Sequence, residues 1–209
     1  MKHWQPWIAD GVCQLLAAKV DRVVGIAAAP HYATISIDGY AARAEAGIRN
    51  ADAEIAFRMV GQWWDQPAFT ALVAQNITSA LGDWPARGTK VFFTAHSLPA
   101  RIIEQGDPYR DQLLASSEAV VAHAGLDTDW EFAFQSASAT GEPWLGPDLL
   151  ERIDAHAGAG GERALVVPIG FVADHLEILF DIDVEATEYA AERGVELRRV
   201  RLPNADPLL

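Results

Sequence analysis

Short apolar runs rich in Val, Ile and Phe alternate along this chain with longer amphipathic stretches, and that alternation restricts the fold more than any other feature. A strand, a helix and a further strand close most simply as a βαβ unit. Several units in succession give a parallel sheet with helices on its faces. Strands are predicted near residues 22–28, 53–59, 90–95, 130–134, 163–168 and 195–202, and helices near 6–19, 37–50, 67–81, 108–124, 147–157 and 173–193. Pro108 behind Asp107 and Pro147 behind Gly146 each place a proline at the first helical position, where its missing N–H costs nothing. With 209 residues, folding buries roughly 70% of the unfolded surface, enough for a full core. The loop at 82–88 is the best break in the middle, and 158–161 is a flexible connector.

Charge narrows the function classes. Sixteen basic residues stand against 29 acidic ones, a net charge of −13, so the average field repels phosphate backbones and anionic lipid and attracts divalent cations. Nucleic acid is not an expected partner. The single cysteine, Cys13, forms no internal disulfide, and one thiolate holds no iron–sulfur cluster. No signal peptide is visible at Met1, and no apolar run approaches the ~18 residues of a membrane span. These features predict a soluble, cytoplasmic monomer.

Two of the apolar runs end on chemistry. Val91-Phe92-Phe93-Thr94-Ala95 delivers His96 and then Ser97-Leu98-Pro99, and 164–171 leads into Asp174-His175-Leu176-Glu177. A histidine at the carboxyl end of a strand stands where open α/β sheets bind ligands. A neutral imidazole accepts a proton and ligates Fe²⁺, and a carboxylate opposite it is a hard, exchangeable ligand. Glu177, Asp181 and Glu185 recur every fourth residue, which puts three like charges on one helical face. Each adjacent pair costs about 0.2–0.5 kcal/mol that a bound cation relieves. Asp174 reads as the helix N-cap. His175 is predicted to point about 200° away from Glu177 on the same helix, in a supporting role.

Together with Gly106-Asp107-Pro108-Tyr109 and Pro143-Trp144-Leu145-Gly146-Pro147, these segments resemble the motifs of ferrochelatases, which insert ferrous iron into a porphyrin. The resemblance covers essentially the whole chain. It implies an α/β fold of parallel-sheet, Rossmann-like (chelatase-like) domains around a cleft. A remainder of the first domain would span 1–86, truncated at its start, and the second domain would span 87–209 without a final helix. It also implies that His96 and Glu177 are the catalytic and iron-contacting pair. Asp181 and Glu185 would form an outer site for Mg²⁺ or incoming Fe²⁺, with no cofactor permanently bound. Tyr40 and His3 occupy positions that contact porphyrin. Ala29-Pro30-His31-Tyr32 and 170–174 are similar to the coproporphyrin-using branch, so the implied substrates are coproporphyrin III and Fe²⁺, within haem biosynthesis. That substrate is polyanionic, so its rim should meet basic groups. His31 itself reads as a solvated loop residue, and Trp144, Trp63, Trp64 and Trp84 as packing anchors.

Two further enzymatic readings and one non-catalytic reading compete. Cobalt or sirohydrochlorin chelatases share the architecture but not the combination of the three motifs. A porphyrin- or haem-binding remnant would bind without turnover. Ser97 as a hydrolase nucleophile lacks a G-x-S-x-G elbow around it.

Overall fold

The computed structural model describes residues 5–209. Its first unit runs α1 (Ile8–Ala17), β1 (Arg22–Ile26), α2 (Thr34–Asn50), β2 (Ala56–Val60) and α3 (Pro67–Leu81). The second runs β3 (Lys90–His96), a short α4 (Arg101–Glu104), α5 (Tyr109–Ala124), β4 (Trp130–Gln135), α6 (Leu149–Gly158) and β5 (Arg163–Val167). It continues through a π-helix (Ile178–Ala186) into α7 (Thr187–Glu192) and β6 (Glu196–Arg199). All strand pairs in the two sheets are parallel: β1 with β2, and the order β4-β3-β5-β6. The predicted α/β class and parallel sheets are therefore observed.

The larger sheet explains why its strands read as continuous apolar runs. Parallel strands covered on both faces need hydrophobic residues at every position. Val91, Phe93 and Ala95 of β3 pack with α3 and α5 through Phe69, Ile77, Leu113 and Val120. Phe92, one pleat over, packs with Ile153 of α6 and with Ile178 and Ile182 of the π-helix. β3 thus sends its chain to α5 on one face, while its neighbours β4 and β5 send theirs to the other. Adjacent connections that leave on opposite faces open a crevice at the carboxyl ends of the strands. His96 is the last residue of β3, at that crevice.

Among the described residues, the small sheet is covered on one side, by the cluster of Val12, Ala44 and Ile48. Val24 and Ile26 of β1 are exposed on its other side, at 54% and 68%.

Several boundaries depart from expectation for local reasons. Asp148 caps α6, accepting from Leu150 N at 2.8 Å in a capping box with Glu151, so the helix starts two residues after Pro147. The carbonyl of Pro147 instead accepts from Phe134 N at 2.8 Å, tying the loop to β4. Asp107 accepts from Tyr109 N at 2.9 Å, and Pro108 is the N-cap of α5 rather than its first residue. His31 is 2% exposed, with both ring nitrogens lacking a hydrogen-bond partner, which corrects its reading as a solvated loop residue. Burial alone lowers its pKa from 6.5 to about 3.

Candidate active site

The His96 loop is fixed from several sides. Ser97 N donates to Gln135 O at 2.7 Å, and Ser97 Oγ donates to Leu145 O at 2.7 Å. Ser97 is buried and its hydroxyl is engaged, so it is no nucleophile. Leu145 N donates to Leu98 O and Ala100 N to Pro143 O, each at 2.8 Å. The Pro143–Pro147 segment is thereby zipped alongside the His96 loop, which is how two motifs 48 residues apart in order become one wall. Trp144 closes it, its ring 6.4 Å from the His96 ring at 47° and its Nε1 donating to Thr140 Oγ1 at 2.9 Å.

The opposite wall depends on a glycine. Gly170 N donates to Thr94 O at 3.1 Å, and a Cβ on Gly170 would lie 2.5 Å from Ala95 Cβ and 2.9 Å from Ala95 Cα. Only glycine lets the chain leaving β5 cross so close to β3. Gly170→Ala is expected to cost about 1–3 kcal/mol of stability through this overlap. A urea midpoint equal to that of the unmodified protein would refute the close approach.

Beyond that crossing, helical structure begins later than predicted. Asp174 does not cap it: its carboxylate accepts from Arg199 Nη1 at 3.0 Å and from Asn204 Nδ2 at 2.9 Å, and its N–H donates to Asn204 Oδ1. The first helical N–H groups, those of Ile178 and Leu179, donate to His175 O. His175 therefore precedes the helix, and the 200° argument does not apply to it. Its Nε2 lies 3.5 Å from Glu177 Oε2, on the same oxygen that faces His96 Nε2 at 3.7 Å.

The tautomers follow from the other ring nitrogens. His96 Nδ1 is bonded to Ser97 O, and His175 Nδ1 lies 2.9 Å from Ala173 O. A carbonyl only accepts, so each Nδ1 carries the hydrogen in the neutral ring and each Nε2 presents a lone pair. Two lone pairs and a carboxylate oxygen converge with no donor among them. In the neutral rings neither Nε2 can therefore hydrogen-bond to that oxygen. The His96 and Glu177 side chains are part-exposed, at 29% and 45%, so a visiting ligand can reach them.

The other predicted residues are spread around this pair. Asp181 accepts a hydrogen bond from Ser136 Oγ, one residue beyond the β4 partner of His96. Glu185 is exposed on the π-helix. The i→i+5 bonding of that helix replaces the α-helical ladder assumed from the spacing. Among the described residues, no group of three His, Cys, Asp or Glu is arranged to hold a metal ion. Tyr40 is half-buried on α2. His3 lies outside the described residues. Sequence reasoning missed Arg199. Its Nε and Nη2 meet Asp183 at 2.6 and 2.9 Å while Nη1 holds Asp174, strapping the approach to Glu177 onto the π-helix. An arginine at the end of a short strand in an acidic chain was the available signal.

A protein-family model described as Ferrochelatase matches residues 1–209. The chain belongs to the ferrochelatase family. A ferrochelatase from Herpetosiphon aurantiacus is 45% identical over 210 residues, covering 99% of this chain and 68% of the relative. A ferrochelatase from Deinococcus radiodurans is 38% identical, with 100% and 67% covered. A coproporphyrin III ferrochelatase from Geobacillus thermodenitrificans is 36% identical, with 100% and 66% covered. The chain spans about two thirds of the length of these relatives. Among solved structures, SirB from Bacillus subtilis with Fe³⁺ superposes with a TM-score of 0.70 at 11% identity, over 98% of this chain and 73% of that one. That likeness concerns the fold alone, whereas the ferrochelatase relatives carry the family assignment over the competing chelatase and hydrolase readings. Among the described residues, no helix is long and apolar enough to cross a membrane.

Proposed function

We propose that this chain inserts ferrous iron into coproporphyrin III, with His96 as proton acceptor and metal contact and Glu177 as metal ligand. The observation that carries the reading is the convergence of His96 Nε2 and Glu177 Oε2, 3.7 Å apart, at the carboxyl edge of the larger sheet. Insertion requires two pyrrole protons to leave and a hydrated Fe²⁺ to shed water. An imidazole lone pair takes a proton, and a carboxylate beside it replaces a water on the incoming ion. Two protein ligands hold a divalent ion more weakly than the four nitrogens that receive it, so it can be handed on. Trp144 flanks the His96 ring at 6.4 Å, on one side of the pair.

Coproporphyrin III is favoured over other porphyrins by the motifs at 29–32 and 170–174, and by several relatives at 34–36% identity bearing that name. Asp181 and Glu185 extend the acidic surface outward from Glu177 and serve as an outer site for hydrated Fe²⁺ or Mg²⁺. In calorimetric titration the Asp181→Ala, Glu185→Ala double variant is expected to lose one weak divalent-ion site, and an unchanged isotherm would remove the outer site from the proposal. The function is tested by an anaerobic assay of Fe²⁺ insertion into coproporphyrin III, with protoporphyrin as comparison. Binding of coproporphyrin without insertion would replace the enzyme with a porphyrin-binding protein.

A further inference from the structure

Asp107 stands between the two units. Its carboxylate is buried, 8% of the residue being exposed. Oδ2 accepts from Thr34 N, the first residue of α2, at 2.7 Å, and Oδ1 accepts from Tyr109 N, the first residue of α5, at 2.9 Å. One carboxylate thus terminates two helices that belong to different sheets, and the dipoles of both favour a negative charge there. Ala33, the residue at the α2 N-cap position, has no side-chain acceptor of its own, so Asp107 replaces a local cap with a long-range one.

The same short segment reaches the candidate base. Tyr109 is almost fully buried, and its hydroxyl donates to His96 O at 3.1 Å. Nearby, Gln112 Oε1 accepts from Tyr32 N at 2.8 Å while Gln112 Nε2 donates to Gln62 Oε1 at 2.6 Å, a second tie from α5 to the small sheet's loops. Without Tyr109, the peptide between His96 and Ser97 would still be held through Ser97. With only its N–H held, that planar peptide could tilt about the bond to Gln135 O, and the Ser97 carbonyl that receives His96 Nδ1–H would shift with it.

We propose that Asp107 and Tyr109 are positioning residues that couple the start of α2 to the His96 peptide and hold His96 Nε2 toward Glu177. This proposal rests on the function proposed above, since it assigns both residues an effect through His96. Tyr109→Phe removes one hydroxyl from a packed ring and keeps the fold. Its kcat for insertion is expected to fall on the order of 10- to 100-fold at unchanged porphyrin KM, the size of effect that a small misplacement of a reacting group produces. Asp107→Asn keeps one acceptor oxygen and releases one helix. It is expected to lower kcat and also to raise porphyrin KM, because α2 carries Tyr40. A purely structural role would lower the melting temperature but leave kcat per folded molecule and KM untouched in both variants, and that result would overturn the proposal.

A second readout does not need turnover. The Nδ1–H proton of His96, assigned by its loss in His96→Ala, is expected to broaden by faster exchange in Tyr109→Phe. An unchanged resonance would overturn the coupling even in a chain that inserts iron. A broadened resonance in a chain that inserts none would support the coupling while refuting the function.

Discussion

His96→Ala and Glu177→Gln are each expected to reduce Fe²⁺ insertion by at least about 10²-fold, and the double variant by little more than the worse single one. A positioned general base contributes roughly 10²–10⁴-fold, and two groups that handle one ion act as a unit, so their losses do not add. Glu177→Gln keeps the size of the side chain and one acceptor oxygen but removes the charge, so it isolates charge from shape. His175 supplies the informative contrast. It lies as near to Glu177 Oε2 as His96 does, but it sits in the segment after β5 with its ring 5.0 Å from Phe171, whereas His96 ends β3. His175→Ala is therefore expected to retain more activity than His96→Ala. Anaerobic steady-state insertion assays decide these points. Full activity in His96→Ala, or a ranking in which His175→Ala is the more damaging, would transfer the base to a different imidazole.

How much of this was legible in the sequence depends on whether the deciding interaction was local. α3 was predicted at 67–81 and is observed as Pro67–Leu81, because a proline at its first position and Gly82 at its end are local punctuation. β3 and β5 were legible because burial on both faces leaves an unbroken apolar run. The π-helix was not. Its apolar residues Ile178, Ile182 and Ala186 recur every fourth residue, a spacing that an α-helix also satisfies, so periodicity does not separate the two. Asp174 has the local look of a cap, but Arg199 and Asn204 claim it from 25 and 30 residues away. The placement of His175 beside Glu177 follows from that competition. The convergence of His96 and Glu177 was anticipated from motifs, whereas the Gly170 crossing that produces it was not.

Acidification is expected to unfold this protein earlier than its carboxylates require, and His31 is the reason. Its imidazole is buried with neither nitrogen partnered, and desolvation lowers its pKa from 6.5 to about 3. The sign follows from linkage: the unfolded chain takes up the proton near pH 6.5, while the folded chain resists it until about pH 3. Stability is therefore complete above pH 6.5 and falls by up to about 1.4 kcal/mol per pH unit below it, reaching roughly 3 kcal/mol by pH 4. Against a typical total of about 5–15 kcal/mol this is a large share. The window is diagnostic because the lowered carboxyl of Glu131, held down by its hydrogen bond from Arg152, loses its contribution only below its ordinary value of 4.5. Between pH 6.5 and 4.5 the two mechanisms separate. His31→Leu removes the titrating group and the two unpaired nitrogens together, so its urea midpoint is expected to match or exceed that of the unmodified protein at pH 7.5. It should also decline less steeply toward pH 4.5. Parallel pH curves for the two proteins would mean that His31 is hydrated or paired in solution, and the acid sensitivity would then belong to other groups.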